Sequence, residues 1–294
     1  MLFSFTDSFW PILLVNCLFL VFWSPAMPLM ESLTMQSSIK YGFDYGRVRV
    51  WGSITFVIAA VAIGHILKRG SNDLIFSAIV VMIALTCISA FWLPDFRTPP
   101  RQQAQFTFLT VLQDRRFVLF LIGTSLIQAS HAIFYAFGSI HWQRAGIGTD
   151  VIGWLWAEGV TVEIILFIFG PHVLAKVGPT RLIALAGLAG AIRWTGTAFT
   201  TELPALVVLQ ALHGITFGAA HLGAMHFIQK RIAPELSATA QSLYASVVMG
   251  IGMGLAMLSS GYLYDTYAGH AYLPMAALAT VGGFIIFSLR HKNN

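Results

Sequence analysis

Nine long apolar runs leave this chain few ways to fold. They occupy approximately residues 9–30, 50–67, 73–93, 117–139, 150–170, 180–199, 204–227, 238–262 and 272–289. A helix needs about 20 predominantly apolar residues to cross a hydrocarbon core ~30 Å thick. The runs lack the roughly ten-residue alternating segments of a membrane β-barrel. An all-α, polytopic membrane bundle of about nine helices is therefore expected. The second run is short and bounded by glycine, the weakest by length. The eighth, ATAQSLYASVVMGIGMGLAMLSSGYLY, is rich in small residues.

Composition agrees with this reading. Of the 294 residues, 57% are hydrophobic and 10% charged, where soluble domains carry about 25% charged residues. The mean hydropathy is +0.75. An ordinary soluble enzyme, a disordered chain and a disulfide-stapled module are excluded. The net charge of +5 comes from basic residues spread through short connections with no run of four or more, so no nucleic-acid partner is expected. Cys17 and Cys87 lie inside apolar runs and read as small core residues. The first run lacks a basic leader, follows Asp7 and precedes further spans, which is not the pattern of a secretory signal.

The connections alternate in charge. One set holds Lys40, Arg47, Arg49, Arg97, Arg101, Arg115 and Arg116, then Lys176, Arg181, Lys230, Arg231, Arg290 and Lys292. The other holds only Lys68, Arg69 and Arg144. The positive-inside rule puts the first set and the C-terminus in the cytoplasm, and nine spans then put the N-terminus outside. The longest interior connection, 94–116, contains Pro99, Pro100 and a run of Gln and Arg, and reads as a linker between two bundles. The expected organisation is three helices in 1–93, a cytoplasmic loop at 94–116 and six helices in 117–294.

Several motifs fit this split. The segment YGRVRVWGS from Tyr45 to Ser53 resembles the YGRxRxWGS signature of one branch of the major facilitator superfamily. That branch holds the phenylpropionate permease-like transporters, near the oligosaccharide and nucleoside proton symporters. SPAMPLMESL, FGSIHWQRAG, IGWLWAEGVTVEIILF, IRWTG and LHGITFGAAHLGAMHFIQ are similar to the family in order and spacing. The resemblance covers essentially the whole chain. It implies two six-helix halves with substrate held at their interface and alternating access by rocking. It also implies a bacterial inner-membrane symporter that acts as a monomer, uses no cofactor and is driven by the proton gradient. The family has twelve helices, and this chain starts where the fourth would stand, which reads as a truncated chain, a misassigned start or a fragment.

An ionisable group at membrane depth is costly unless paired or hydrated, so each one is a candidate functional residue. Gln128, His131, Glu158, Glu163, Arg193 and His213 all fall roughly 10–20 Å below the outer surface, in one layer across four helices. Glu163 is the first candidate for a proton carrier. Arg193 is its natural partner, or the anchor for an anionic substrate through a bidentate carboxylate contact. His213 is suited to relaying the proton, since imidazole titrates near neutrality. The resemblance supports this, because related sugar symporters carry Glu, Arg and His on neighbouring second-half helices. Glu158 is a weaker proton-coupling candidate, about 140° around the helix from Glu163. The alternative for Glu163 and Arg193 is a fixed ion pair holding two helices together.

His213 and His221 stand about 80° apart on an ideal helix, which is wrong for one metal. Gln128, His131, Tyr135 and Trp154 join Arg193 as substrate-binding candidates. The aromatics Phe134, Phe137, Trp156, Trp194 and Phe217 crowd the same layer and suit stacking on an aromatic solute or plain packing. Asp44, Arg47 and Arg49 resemble the superfamily's charged gating loops. Gly187, Gly190, Gly250, Gly252 and Gly254 are expected at close helix contacts. The expected function is proton-coupled uptake of a small aromatic carboxylate such as 3-phenylpropionate. A nucleoside or oligosaccharide symporter and a non-transporting remnant remain the alternatives. A membrane metalloenzyme is disfavoured, because the chain has no HExxH motif.

Overall fold

The computed structural model describes residues 8–23, 26–43, 45–70, 73–94 and 107–289, and every regular element among them is helical. In chain order the helices are α1 (Phe9–Trp23), α2 (Ala26–Tyr41), α3 (Tyr45–Arg69), α4 (Asp73–Ala90), α5 (Thr107–Leu112), α6 (Arg115–Ala129) and α7 (Ala132–Arg144). There follow α8 (Thr149–Val177), α9 (Pro179–Phe199), α10 (Leu203–Ala211), α11 (Ala220–Arg231), α12 (Pro234–Tyr244), α13 (Met253–Tyr267) and α14 (Tyr272–Ser288). Two π-helical turns, Gly214–Ala219 and Ala245–Gly252, join α10 to α11 and α12 to α13.

Among the described residues six helical stretches are long and apolar enough to cross a membrane, with Phe9–Trp23 and Leu74–Ala90 as shorter apolar helices. All nine sequence runs are accounted for. The second run is part of the 25-residue α3, longer than its apolar core suggested. The last stretch, Thr239–Ser288, holds 50 residues, which at 1.5 Å each is about 75 Å and more than twice the hydrocarbon thickness. Its contacts show two crossings. Tyr244 lies beside Phe120, Tyr264 beside Phe137, and Ile286 is again level with Gly123. The reversal is the 3₁₀ turn Ala268–Ala271, entered through Ala268 at φ 47°.

The chain forms two compact units, one of Met1–Gly52 and Phe76–Arg101, the other of Ser53–Ile75 and Gln102–Asn294. In the first unit α1 buries no residue, and Phe22 is 81% exposed. A helix apolar on every face suits a membrane span. Cys17 and Cys87 are accordingly exposed and are not core residues. Of the expected 94–116 loop, 95–106 lie outside the described residues, and the rest is not plain loop, since it carries the short helix α5 and the start of α6.

The second unit has two large apolar clusters and a third, small one around Leu174, Leu182 and Ala219. One of the large two gathers Phe117, Phe120, Phe227, Tyr244 and Ile286. The other gathers Phe134, Trp142, Trp194, Tyr264 and Tyr272. Helices α6, α9 and α14 meet backbone to backbone. A Cβ on Gly187 would lie 2.6 Å from Gly283 Cα, and one on Gly282 would lie 2.6 Å from the Gly123 carbonyl oxygen, so only glycine fits. At one end of this unit Arg231 grips Asp114 through Nε and Nη2, at 2.8 and 3.1 Å. At the opposite end Lys68 pairs with Asp150 at 2.7 Å.

Candidate functional site

The polar layer lies where α6 gives way to α7, between the two large apolar clusters. The α-helical pattern breaks at Ser130 and His131, and the Ser130 hydroxyl accepts from Trp194 Nε1 at 2.9 Å. His131 Nδ1 faces the carbonyls of Ile127 and Gln128 at 3.3 and 3.2 Å. Carbonyls only accept, so Nδ1 carries the proton and Nε2 accepts from the Thr216 hydroxyl at 3.1 Å.

Arg193 is the centre of the layer. It is 1% exposed, with its guanidinium carbon 4.7 Å from the Phe134 ring and 4.5 Å from that of Trp194. Its Nη1 donates to Thr216 Oγ1 at 3.1 Å and to His213 Nδ1 at 3.0 Å, and its Nη2 donates to Gln210 Oε1 at 2.5 Å. Gln210 is fixed in turn by donating to the Leu155 carbonyl at 3.1 Å. Burying a guanidinium is tolerable only with such partners.

The bond to His213 determines its tautomer. Arginine cannot accept a hydrogen bond, so His213 Nδ1 must be the acceptor and the ring proton sits on Nε2. That second nitrogen is 4.0 Å from Glu163 Oε2. Arg193 and Glu163 thus approach opposite nitrogens of one imidazole. The expectation of Arg193 beside Glu163 becomes an arrangement with His213 between them.

The π turn Gly214–Ala219 changes the expected helix geometry. It accommodates more residues per turn than an α-helix, so His213, Phe217 and His221 align instead of diverging by about 80°. Successive rings lie 5.5 and 6.5 Å apart with interplanar angles of 7°. The same turn swings Thr216 onto Arg193 and His131.

The other expected residues scatter. Tyr135 stacks near His131 and Trp156, at 5.7 and 6.3 Å. Gln128 is fully buried, with the buried Tyr244 hydroxyl as the polar neighbour of its amide. Glu158 is half-buried on α8. Trp154 is 57% exposed and points away from the layer, whereas Trp156, two residues on, donates to Ser139 inside it. Asp44 lies outside the described residues. Arg47 and Arg49 stand in the first turns of α3, where only their backbone is described. Sequence reasoning missed Gln210 and Thr216. Asking where the five N–H donors of a membrane-buried Arg193 must go would have pointed to polar residues one turn either side of His213.

No group of three His, Cys, Asp or Glu among the described residues is arranged to hold a metal ion. A bundle of apolar crossing helices with an ionisable layer at mid-depth defines a multi-pass membrane carrier, in which solutes bind near the midplane. The chain belongs to the MFS_1 like family, whose family model matches residues 1–273. It is 30% identical over 289 residues to the probable 3-phenylpropionic acid transporter of Escherichia coli (strain K12), covering 94% of this chain and 75% of that one. It is 27% identical over 276 residues to a maltose permease of Geobacillus stearothermophilus, covering 92% and 68%. Among solved structures it is similar in fold to the nucleoside transporter NupG, with TM-score 0.73 and 18% identity over 92% of this chain and 74% of that one. The chain is a membrane transporter of the major facilitator type, not an enzyme.

Proposed function

We propose that this transporter takes up a small aromatic carboxylate such as 3-phenylpropionate together with a proton. The observation that carries the proposal is the placement of Arg193 and Glu163 at opposite nitrogens of His213. With Glu163 ionised, its charge balances that of Arg193 across the imidazole. Protonating Glu163 leaves the guanidinium without a counter-ion in a low-dielectric layer, and an anionic solute then supplies it. Proton and anion therefore bind together and leave together. For His213 to relay the proton, Nδ1 releases Arg193 and takes up the incoming proton as Nε2 passes its own to Glu163. Glu158, on the same helix, serves as a secondary proton site.

The aromatic character of the solute is supported by Phe134, Tyr135, Trp156 and Phe217 around this line, where rings can stack. His131 holds Thr216 against Arg193 and thereby sets the position of the positive charge. Alternating access comes from rocking of a half at 1–93 against a half at 117–294, with Asp44, Arg47 and Arg49 tying helix ends at the basic mouth. The basic ends and the C-terminus face the cytoplasm of a bacterial inner membrane. A neutral solute such as a nucleoside or oligosaccharide is the second reading, favoured by the uncharged polar pair Gln128 and Tyr244 buried in the bundle.

The test is uptake of labelled 3-phenylpropionate by cells expressing the chain, with and without a protonophore. Accumulation that the protonophore abolishes is expected. Accumulation that survives it contradicts proton coupling, and uptake of nucleosides or maltose but no aromatic acid contradicts the substrate class.

A further inference from the structure

Arg193 donates to three side chains, and none of the three is negative. Thr216 offers its hydroxyl oxygen at 3.1 Å, His213 the lone pair of a neutral ring at 3.0 Å, and Gln210 its amide oxygen at 2.5 Å. The Gln210 bond is the shortest of them. Gln210 itself is 3% exposed and stands on α10, one turn before His213. Both ends of its amide are assigned by their partners. Arginine only donates, so Oε1 faces Arg193. A main-chain carbonyl only accepts, so Nε2 faces that of Leu155 on α8, at 3.1 Å. A leucine at position 210 would leave both neighbours unanswered. A glutamate would answer Arg193 with a charge and set its second oxygen against the Leu155 carbonyl. The amide answers both and brings no charge.

We infer that Gln210 is the residue that makes this site select anions. It holds Arg193 with a neutral oxygen where an isosteric carboxylate would neutralise it, and so leaves the guanidinium charge for the solute. The inference rests on the reading of Arg193 as the anchor of a solute carboxylate. A buried cation whose hydrogen bonds all go to neutral groups is short of a counter-ion. Glu163 supplies one at a distance, since the His213 ring lies between them and Glu163 Oε2 is 4.0 Å from His213 Nε2. That balance ends when Glu163 takes a proton. The charge then falls to the acceptor that reaches the guanidinium from the solute. A carboxylate at position 210 would hold it permanently, whatever the state of Glu163, and would repel a second anion. Discrimination by charge therefore depends on the neutrality of position 210 as much as on the presence of Arg193. Specificity is a difference between affinities, and here it is set by the competing charge that position 210 leaves out.

The experiment is equilibrium exchange by the full-length chain in proteoliposomes with two labelled solutes of one shape, 3-phenylpropionate and its neutral amide, 3-phenylpropionamide. The wild-type chain is expected to favour the carboxylate by about tenfold or more in KM, as a charged hydrogen-bond partner implies. Gln210→Glu is expected to bring that ratio to about one through loss of affinity for the carboxylate, with exchange of the amide persisting. Gln210→Met removes both amide bonds and no charge, so it is expected to slow exchange of both solutes and keep the preference. If Gln210→Glu is not monodisperse by size exclusion, Gln210→Met decides. A kept preference then supports the inference, and a lost one overturns it, because position 210 would act through shape. A Gln210→Glu chain with the wild-type preference also overturns the inference and leaves the anion reading standing. A wild-type chain that does not favour the carboxylate overturns both.

Discussion

The second unit packs its helices in two different ways. On the side of α6, α9 and α14, glycines let backbones touch, and the contact is apolar. On the side of α7, α8 and the π turn at Gly214–Ala219, helices are held by a chain of hydrogen bonds running through Arg193. The first arrangement has no slack, because Gly187 and Gly283 leave no room for a methyl group. The second depends on which groups carry protons, since the His213 and Thr216 bonds to Arg193 persist only while both are acceptors. A carrier needs both, a frame that does not deform and a polar layer that responds to charge.

The comparison is broken most completely in the frame. Gly282→Leu would drive a side chain into the Gly123 carbonyl, 2.6 Å from the first added carbon, with no flexible atom to yield. The expected outcome is no monodisperse protein by size exclusion. In the polar layer, Arg193→Gln leaves Thr216 and the neutral His213 without their donor. Each lost hydrogen bond to a charged group is worth about 1.5–3 kcal/mol, so a lowered thermal midpoint and loss of uptake are expected. Arg193→Lys is expected not to restore uptake, because one ammonium cannot reproduce the guanidinium fork that reaches Gln210, His213 and Thr216.

Gln128 sharpens the comparison. Its buried amide has the Tyr244 hydroxyl as its polar neighbour, so Gln128→Leu leaves that buried hydroxyl alone and the thermal midpoint is expected to stay level or fall. If Gln128 also contacts solute, as proposed, uptake falls as well. Unchanged uptake would leave Gln128 with no part in transport.

The smallest effect lies at the basic end. Partial burial pushes the Asp114 carboxyl up, but the Arg231 fork and the Arg116 amide outweigh it and hold the carboxyl below its usual range. A depressed folded-state value means stability that is present above the unfolded value near 3.9 and lost as pH falls through the folded one. Comparing thermal midpoints of the wild type and Asp114→Asn between pH 3 and 7 should show a gap that closes at the acid end. For so exposed a pair the gap corresponds to about 0.2–1 kcal/mol.

The crossing helices were legible because the apolar runs are set by the thickness of the bilayer. Arg193, Glu163 and His213 were legible as ionisable residues at one depth. Their order was not, since a difference of a few ångströms between an Arg–Glu pair and an Arg–His–Glu line has no signature in spacing. The π turn was illegible for a related reason. One extra residue in an apolar helix leaves the composition unchanged, yet it aligns His213, Phe217 and His221 and brings Thr216 to Arg193. The difference between the exposed Trp154 and Trp156, which bonds Ser139, was not legible in composition, since a step of two residues turns a helix position by about 200°. Cys17 and Cys87 were misread because lipid-facing and core-facing apolar surface look alike in a membrane helix.

In the proposed mechanism Glu163 takes up the proton that accompanies the solute anion. The most direct test compares wild type and Glu163→Gln, reconstituted in proteoliposomes, in two assays. One reads pH change on adding 3-phenylpropionate, the other exchange of labelled for unlabelled solute without a gradient. The account predicts that the wild type alkalinises the outer medium on solute entry, and that Glu163→Gln moves no proton yet still exchanges solute. Solute-driven alkalinisation by Glu163→Gln equal to that of the wild type would contradict it.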